Sequence, residues 1–464
     1  MQRFSPAIRS FERLQASDGL LITADHWQRT QTYHRQRQNF YYQSLHQAGI
    51  VSGLGVTLAK APADIDARFR DGRWIQVQPG IAIDAQGNPI VVTEPYRFQV
   101  QSRCTAGDRK TVYIVLNYVD PDELRHPAGR DWVKEMFRIV EKTTLDVLDV
   151  ELCRIHLTPG EQKLLMAADV FTPSPNSLDL TYRQTSRSAP EGIVSVAHLV
   201  DADDSLSAAR GGLTYLLQAV NALYPSLLGE PTILNVPLDA LTGQRLLQRD
   251  LLYVSDDHLP HLSPALQSGL RNYLKAGGVL LVAVDGKNSR QAELGKIRQE
   301  LLTALAEAEN DPSVATVRGS VRTEIAAIEA EMNQFVEKSR LSIASLSHQL
   351  GIYLQGSGNV SFDHPLRTTP FLFSRWPNVG TQPLHLFCWG GIVLMVGDLA
   401  QAWGPDKNGT RSRETIRTAH ELGINLLHYA WRRRRLVQLQ QGSSTEITAS
   451  STDSLTDQAT SRSP

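Results

Sequence analysis

The chain has 464 residues, of which 41% are hydrophobic and 20% charged, and a formal net charge of −1. This length accommodates about three domains with ample core, and the balanced charge argues against a general nucleic-acid-binding surface. Three widely separated cysteines (Cys104, Cys153, Cys388) indicate a reducing compartment and no disulfide framework. The sequence has no signal-peptide core and no run of ~20 apolar residues. We therefore expect a cytoplasmic protein without a membrane-spanning helix.

Residues 1–49 predict an irregular lead-in and a helix that begins at Thr23 and ends at Gly49. Aromatic residues would line one face of this helix, and three arginines would lie on the other. A basic helix with aromatic residues is compatible with nucleic-acid binding, whereas the simpler alternative is a solvated face beside an aromatic packing seam. Because the remaining chain adds no basic surface, we favour the second alternative and expect no nucleic-acid partner.

Residues 50–165 contain several short apolar runs separated by turn signals, of which Asp84–Pro89 is the clearest. This pattern predicts a small β-sandwich or β-barrel. Residues 166–190 are rich in Pro and Ser, and we interpret them as a linker.

Four segments of this region carry a resemblance: Tyr33–Arg37, Gly49–Val56, Val77–Gly87 and Ile90–Val92. Together they are similar to a module of phage-tail-like contractile injection systems, in which a helix precedes a G-V-V-x-G-L-x-V strand and a P-G-x-A-x-D-x-x-G hairpin. The resemblance covers roughly residues 15–100. It implies a baseplate-associated structural or attachment role.

Residues 251–286 give the clearest secondary-structure prediction in the chain. They contain an apolar run from Leu251, a helix start at Ser263 and Pro264, a helix end at Gly277 and a second apolar run, Val279–Val284. Two near-continuous apolar strands around an amphipathic helix predict a βαβ unit in a parallel sheet that is covered on both faces.

Residues 290–350 are strongly helical, with apolar residues at heptad-like spacing. These are Val321, Ile325, Ile328, Met332 and Phe335. Such a seam could pair with a second copy of the chain through the helix at 321–350. We favour a helical hairpin that packs on itself, because Ser339 and Ser342 interrupt the seam.

A second resemblance spans about residues 190–440. It is carried, in order, by Gly211–Tyr215, Leu251–Tyr253, Leu270–Gly278, Asp363–Leu366, Gly397–Trp403 and Leu422–Ala430. These segments are similar to a bacterial domain family of unknown function with a flavodoxin-like, class I glutamine-amidotransferase-like fold. The likeness implies an α/β domain over 191–440 with 290–350 as a helical insertion. The chain as a whole is thus predicted to be multidomain, α+β and then α/β, with a disordered tail at 441–464.

Chemistry-bearing residues follow one predicted strand, where ligands sit in open α/β sheets. Asp256, Asp257 and His258 come directly after that strand, with His261 nearby, and Asp363 and His364 could join the same crevice. Carboxylates and imidazoles there could hold a metal or act as acid and base. Equally, these residues could occupy a loop and cap turns. No ligand spacing in the chain is specific, so we expect no metal or cofactor.

Cys388 is the nucleophile that an amidotransferase-like sheet would suggest. The G-x-C-x-G elbow of that superfamily is incomplete, because Leu386 stands at the first glycine position and a second strand follows. We therefore expect no thiol catalysis.

Four arginines, Arg432, Arg433, Arg434 and Arg435, follow the last predicted helix, and Leu436–Leu439 would form a short edge strand. The arginines could contact an anionic membrane or a partner, or complement the helix dipole.

The sequence thus favours a non-catalytic assembly protein whose partners are other subunits of a large particle. The alternatives are an enzyme or ligand-binding protein that uses the strand-end crevice, and an adaptor at the periphery of a membrane.

Overall fold

The computed structural model describes residues 10–66, 69–104, 109–120, 132–159, 163–200, 208–237, 244–261, 263–284, 290–307, 315–351, 358–379, 382–405, 409 and 411–441. The predicted disordered tail lies almost wholly outside these residues. The chain divides between Ala189 and Pro190 into two compact units, called unit 1 and unit 2 below. The mixture of small antiparallel sheets, helices and a parallel sheet agrees with a multidomain protein of mixed α and β structure.

Unit 1 begins with one long helix, and strands make up most of its remaining regular structure. Its described elements are α1 (Ala24–Leu45), β1 (Gly49–Gly53), β2 (Val56–Leu58), β3 (Trp74–Val77), β4 (Gly80–Ile83), β5 (Pro89–Val92), β6 (Tyr96–Gln99), β7 (Lys110–Val119), β8 (Met136–Lys142) and β9 (Val150–Leu157). Within the described ranges they form three antiparallel sheets, in the orders β1-β4-β5, β2-β3-β6 and β8-β7-β9. Side chains from all three sheets share one apolar core, which includes Ile75, Ile90 and Ile114.

Two glycines let β1 and β4 lie close together. Gly53 has a φ of +67°, and a Cβ there would lie 2.2 Å from the carbonyl oxygen of Pro79. A Cβ on Gly80 would lie 2.4 Å from the amide nitrogen of Leu54. The glycines of the G-L-x-V and P-G segments therefore have a structural reason, which is close backbone approach.

The segment at 166–190 is not a linker, and this prediction was wrong. The backbone of Arg154 exchanges two 3.0 Å hydrogen bonds with that of Asp179, and Ile50 forms a bridge with Thr185. Leu178 is buried in the core of unit 1. Pro and Ser residues bend this segment around the strands, but its backbone groups still find partners there.

Unit 2 is built around a sheet that is parallel except at one edge. Its described elements are β10 (Gly192–Val194), β11 (Val196–Val200), α2 (Ala208–Leu223), β12 (Leu227–Gly229), β13 (Leu234–Pro237), α3 (Gln244–Leu247), β14 (Leu251–Ser255), α4 (Pro264–Lys275), β15 (Val279–Val284), α5 (Arg290–Glu307), α6 (Ala315–Gln349), α7 (Pro365–Thr368), β16 (Asn378–Val379), β17 (Gln382–Pro383), β18 (His385–Trp389), β19 (Ile392–Val396) and α8 (Arg413–Gln440). Among these, the main sheet has the order β13-β11-β14-β15-β19-β18, with only β18 antiparallel to its neighbour.

The predicted βαβ unit is confirmed. β14 and β15 pair in parallel, and the side-chain oxygen of Ser263 accepts a hydrogen bond from the amide of Leu266 at the start of α4. Gly277 follows the helix with a φ of +94°, the left-handed conformation that favours glycine. Alternate strand residues enter two cores, one on each face of the sheet. Helices α2 and α8 cover one face, and α4 and the last turns of α6 cover the other.

Helices α5 and α6 pack against each other, which agrees with the self-packed helical arrangement that the sequence analysis favours. Leu294 of α5 packs against Ile328 and Met332 of α6, and Arg298 and Glu329 form an ion pair of 2.7 Å. The predicted interruption at Ser339 and Ser342 was wrong, because the buried stripe continues onto the sheet.

The continuation of this stripe is formed by Ile343, Leu346 and Leu350. The apolar face of α6 thus packs against α5 and the main sheet of the same chain. The self-association alternative at 321–350 needs this face to be exposed, so the structure does not favour it.

Candidate functional site

Asp256, Asp257 and His258 lie at the carboxyl end of β14, where the sequence places them. They form the first half of a short 3₁₀ helix, Asp256–His261, that precedes α4. Asp257 is exposed, while Asp256 and His258 are half-buried. In the part of the chain that the structure describes, no group of three His, Cys, Asp or Glu side chains is placed to hold a metal ion.

His364 lies against Tyr429, whose hydroxyl donates to the Gly390 carbonyl before β19, so Asp363 and His364 lie near the amino ends of the parallel strands. Of the two alternatives, this placement does not favour the one in which they share a crevice with Asp256–His258. Asp363 and His364 follow Gly358, whose carbonyl oxygen accepts a 2.7 Å hydrogen bond from the Cys388 amide. Cys388 pairs with Val393 near the start of β19, at the amino ends of the parallel strands. The antiparallel direction of β18 therefore separates these residues from Asp256–His258.

The side chains of Asp363 and His364 serve local turns, which is the second alternative of the sequence analysis. Asp363 accepts a 2.6 Å hydrogen bond from the Ser361 hydroxyl, and this bond lowers the pKa of its carboxyl group. His364 Nδ1 accepts a 3.1 Å hydrogen bond from the Leu366 amide and so caps α7. Burial lowers the pKa of His364, which favours the neutral ring that this acceptor role requires.

Cys388 carries a half-buried thiol on β18, beside the turn that leads to β19. Its Sγ lies 3.5 Å from the Tyr429 hydroxyl and 3.6 Å from the carbonyl oxygen of Gly390. Burial raises the pKa of the thiol, and the hydrogen bond between the thiol and the Tyr429 hydroxyl only partly opposes this effect. A reactive cysteine requires the opposite shift, because the thiolate is the nucleophile. As the sequence indicates, β19 follows in place of a helix.

Two of the four adjacent arginines point inward. Arg433 donates hydrogen bonds to the carbonyl oxygens of Leu274 (3.2 Å) and Gly278 (2.7 Å), at the end of α4. Arg434 is 8% exposed and donates to the carbonyl oxygens of Leu247 and Arg249. An anionic surface would therefore meet only Arg432 and Arg435.

The predicted edge strand at 436–439 was wrong, because α8 continues to Gln440. The arginines lie inside this helix, where two of them donate to backbone carbonyl oxygens of other elements. In the described residues, no helix is both long and apolar enough to cross a membrane.

Sequence reasoning missed several buried polar groups, among them Asp250 and Asn425 in unit 2. Asp250 accepts hydrogen bonds from the amide (2.7 Å) and hydroxyl (2.8 Å) of Ser195, and its carboxylate lies 3.8 Å from Arg434. Asn425 is fully buried in α8 and bonds the backbone of Leu366 and Phe371. The only signal for Asn425 is a polar residue on an otherwise apolar helix face.

In unit 1, the P-G-x-A-x-D-x-x-G segment builds a rigid turn. Asp84 accepts hydrogen bonds from the amides of Gln86 (2.9 Å) and Asn88 (2.8 Å) and from the side chain of Asn88 (2.9 Å). Gly87 lies against the backbone of α1, because a Cβ there would lie 2.4 Å from the carbonyl oxygen of Asn39. The motif thus seats α1 on the β4–β5 hairpin.

The same hairpin presents an apolar surface to solvent. Ile81 and Val91 pair directly across β4 and β5, while their neighbours Ala82 and Ile90 are buried. Val51 lies at an irregularity of β1 beside them. The three side chains are 48% (Val51), 39% (Ile81) and 50% (Val91) exposed. We call Val51, Ile81 and Val91 the sheet patch.

Comparisons with known proteins give little. No protein-family model matches the sequence, and no curated protein matches it. Among solved structures, the chain is similar to the crystal structure of TssK, with 10% identity and a TM-score of 0.19. The match covers 74% of this chain and 57% of the TssK chain, so this chain spans less than two thirds of that protein. A similarity at this TM-score carries no argument about fold or function.

Proposed function

We propose that this chain is a non-catalytic assembly protein that attaches through unit 1 to other protein subunits of a large particle. The observation that carries the proposal is the sheet patch. An antiparallel sheet with one face in the core normally places polar side chains on the other face. Here Val51, Ile81 and Val91 are apolar and β-branched, and they lie together in solvent. Contiguous exposed apolar surface is typical of protein–protein contact sites.

The kind of particle is proposed from the sequence resemblance over residues 15–100, which favours a phage-tail-like contractile injection system and a baseplate or attachment position. The structure supplies a physical reason for the segments of that resemblance. Asp84 and Gly87 hold the turn on which α1 rests, and Gly53 and Gly80 allow β1 and β4 to approach. These residues support a rigid platform beneath the sheet patch.

Unit 2 is proposed to act as a scaffold or recognition surface with a flavodoxin-like, amidotransferase-like fold. The five parallel strands support this assignment, because their order, β13-β11-β14-β15-β19, corresponds to the 2-1-3-4-5 order of flavodoxin-like sheets. A cytoplasmic location is part of the proposal, supported by Cys104, Cys153 and Cys388, which are free thiols.

The test is velocity sedimentation of lysates from cells that carry the native gene, with the tagged full chain and two variants. We expect the wild-type chain to sediment with a particle that shows sheath and tube in electron micrographs. Val91→Asp should move the chain to the monomer fractions. The matched control is Val170→Asp, since Val170 is also exposed in unit 1 (62%) but lies outside the sheet patch. Wild-type protein that stays monomeric would overturn the proposal.

A second candidate is ligand or metal binding at Asp256–His258, and the placement of these residues at the carboxyl end of β14 favours it. Metal analysis of the purified full chain separates the two functions. A stoichiometric metal that is lost in the double variant Asp257→Ala/His258→Ala would replace the assembly proposal with this one.

A further inference from the structure

Helix α1 presents an unusual outer face. Six of its exposed side chains recur at alternating intervals of four and three residues, which is the spacing of one face of a helix in a coiled coil. They are Trp27, Gln31, His34, Gln38, Tyr41 and Leu45, called the α1 stripe below. Trp27 is 62%, Tyr41 49% and Leu45 59% exposed. The stripe is thus apolar or aromatic at both ends and polar in the middle.

The helix is held in place from its opposite side by a few polar and aromatic contacts. The side chain of Gln43 donates to the carbonyl oxygen of Gln86, and Arg35 forms a 2.9 Å ion pair with Asp120. Phe11 packs edge-on against Phe40 at 5.5 Å between ring centroids.

In all its 22 residues α1 has no buried side chain. Most helical stability in proteins comes from burying an apolar face, so this helix lacks the usual source of stability in the chain alone. A partner that covers the α1 stripe would supply it.

Charge indicates what the partner looks like. Asp25 is the one acidic residue in α1, and it pairs with Arg29 at 3.0 Å. Arg37 borders the α1 stripe, and its guanidinium bonds the hydroxyls of Tyr33 and Tyr41, which carry no charge at neutral pH. A second copy of α1 would bring like charges together, whereas a helix with carboxylates beside an apolar seam would be attracted.

We propose that the α1 stripe docks an acidic amphipathic helix of a partner protein, with Trp27, Tyr41 and Leu45 as anchors and Arg37 as the flanking cation. This inference rests on the proposed assembly function and names the partner chemistry for the attachment unit. Aromatic and Arg side chains are the types that dominate binding energy at interfaces. Helix pairing at this spacing places the anchors against the apolar residues of the partner and leaves Arg37 at the rim.

The test uses the full chain and two synthetic helical peptides with identical leucine seams. One peptide has Glu at the flanking positions, and the other has Lys. Titration calorimetry should show binding of the Glu peptide that weakens as salt is added, and much weaker binding of the Lys peptide. Leu45→Ala should weaken binding of the Glu peptide about tenfold, which corresponds to ~1.4 kcal/mol. The matched control is Leu439→Ala in α8, where the leucine is 69% exposed, and it should leave binding unchanged.

A charge reversal gives a result that loss of structure cannot mimic. Arg37→Glu should weaken binding of the Glu peptide about tenfold and strengthen binding of the Lys peptide. Circular dichroism of each variant checks that the fold is retained. Equal binding of both peptides by the wild-type chain, or unchanged binding by Leu45→Ala, would overturn the proposal. So would a wild-type dimer that Leu45→Ala dissociates in sedimentation velocity, since the occupant would then be a second copy.

Failure of this inference is distinguishable from failure of the proposed function. A chain that sediments with a particle but binds neither peptide contradicts the α1 docking and leaves the assembly function standing. A chain that binds the Glu peptide but stays monomeric in native lysate contradicts the assembly function alone.

Discussion

Unit 2 covers both faces of its sheet with helices, whereas unit 1 leaves one face of the β1-β4-β5 sheet in solvent. Residue types that are often catalytic or ligand-binding lie mainly in unit 2, the unit whose sheet is covered. In unit 2, Cys388, His364 and Arg434 bond neighbouring groups of the same unit. In unit 1, the conspicuous side chains are the apolar residues of the sheet patch and the α1 stripe.

A reactive residue type therefore indicates function only when the groups that it contacts are also known. An imidazole that caps a helix and an arginine that bonds carbonyl oxygens are fixed in structural roles, because burial makes an unmet hydrogen bond expensive. An exposed valine on a sheet has no such role in the chain alone. The apolar surface of unit 1 therefore carries more functional information than the polar residues of unit 2.

The largest expected effect comes from Arg434→Ala in unit 2. The change leaves two carbonyl oxygens without their donor and removes the cation beside buried Asp250, so we expect a loss of about 3–5 kcal/mol of stability. Hydrogen exchange of the β14 and β15 amides measures it. The control is Arg432→Ala, where the exposed side chain should contribute less than ~0.5 kcal/mol. Equal effects of the two variants would contradict this prediction, because Arg434 and Arg432 would then contribute alike to stability.

The next effect is that of Asp84→Ala in unit 1. Two backbone amides and the Asn88 side chain lose their acceptor, and the turn beneath α1 loosens, so we expect a loss of about 2 kcal/mol. Hydrogen exchange of the β4 and β5 amides in the full chain measures this loss. Asp64→Ala, an exposed carboxylate, is the control. A negligible effect of Asp84→Ala would mean that this turn does not stabilise unit 1.

A third prediction concerns the thiol. In a full chain that carries Cys104→Ser and Cys153→Ser, iodoacetamide should modify Cys388 at least tenfold more slowly than in the unfolded chain, because burial raises the thiol pKa and restricts access. Tyr429→Phe removes a hydrogen bond that lowers this pKa and should not accelerate the reaction. Modification faster than in the unfolded chain would reveal an activated nucleophile and favour the enzyme alternative.

How much of this fold the sequence predicts depends on the range of the interactions. The βαβ unit is legible because Ser263, Pro264 and Gly277 act within one helix. The segment at 166–190 was misread because its partners, among them Arg154 and Ile50, are distant in the chain. Its composition describes a loop correctly, but composition does not report which strand edge a loop follows.

The candidate site shows the same limit. Sequence places Asp256–His258 after a strand, and the structure agrees. The sequence does not reveal that β18 runs antiparallel, and this direction places Cys388 at the amino ends of the parallel strands. The inward turn of Arg433 and Arg434 is likewise a tertiary effect, since their acceptors, Gly278 and Arg249 among them, belong to other elements.

The smallest expected effect is a pH dependence that originates at His428 in α8. Its Nδ1 is buried and has no hydrogen-bond partner among the residues that the structure describes, and its ring lies against Tyr224 and Trp431. Burial, and then the charge of Arg432, lower the pKa of His428 below the ordinary 6.5, while Glu191 opposes them weakly. The unfolded chain therefore binds this proton more tightly than the folded chain.

The stabilising contribution of neutral His428 is thus fully present above pH 6.5 and is lost as the pH falls from there through the folded pKa. His428→Phe keeps a ring of similar size and cannot take up a proton. We expect it to reduce the loss of unit 2 stability on acidification, and His364 and His385, whose pKa values burial also lowers, contribute to that loss in the same direction. Stability of both proteins measured by β14 and β15 exchange across this range decides the matter. If the two stability curves stay parallel, His428 takes up its proton as easily in the folded chain as in the unfolded chain. That result would contradict a structural role for neutral His428 in the interior of unit 2.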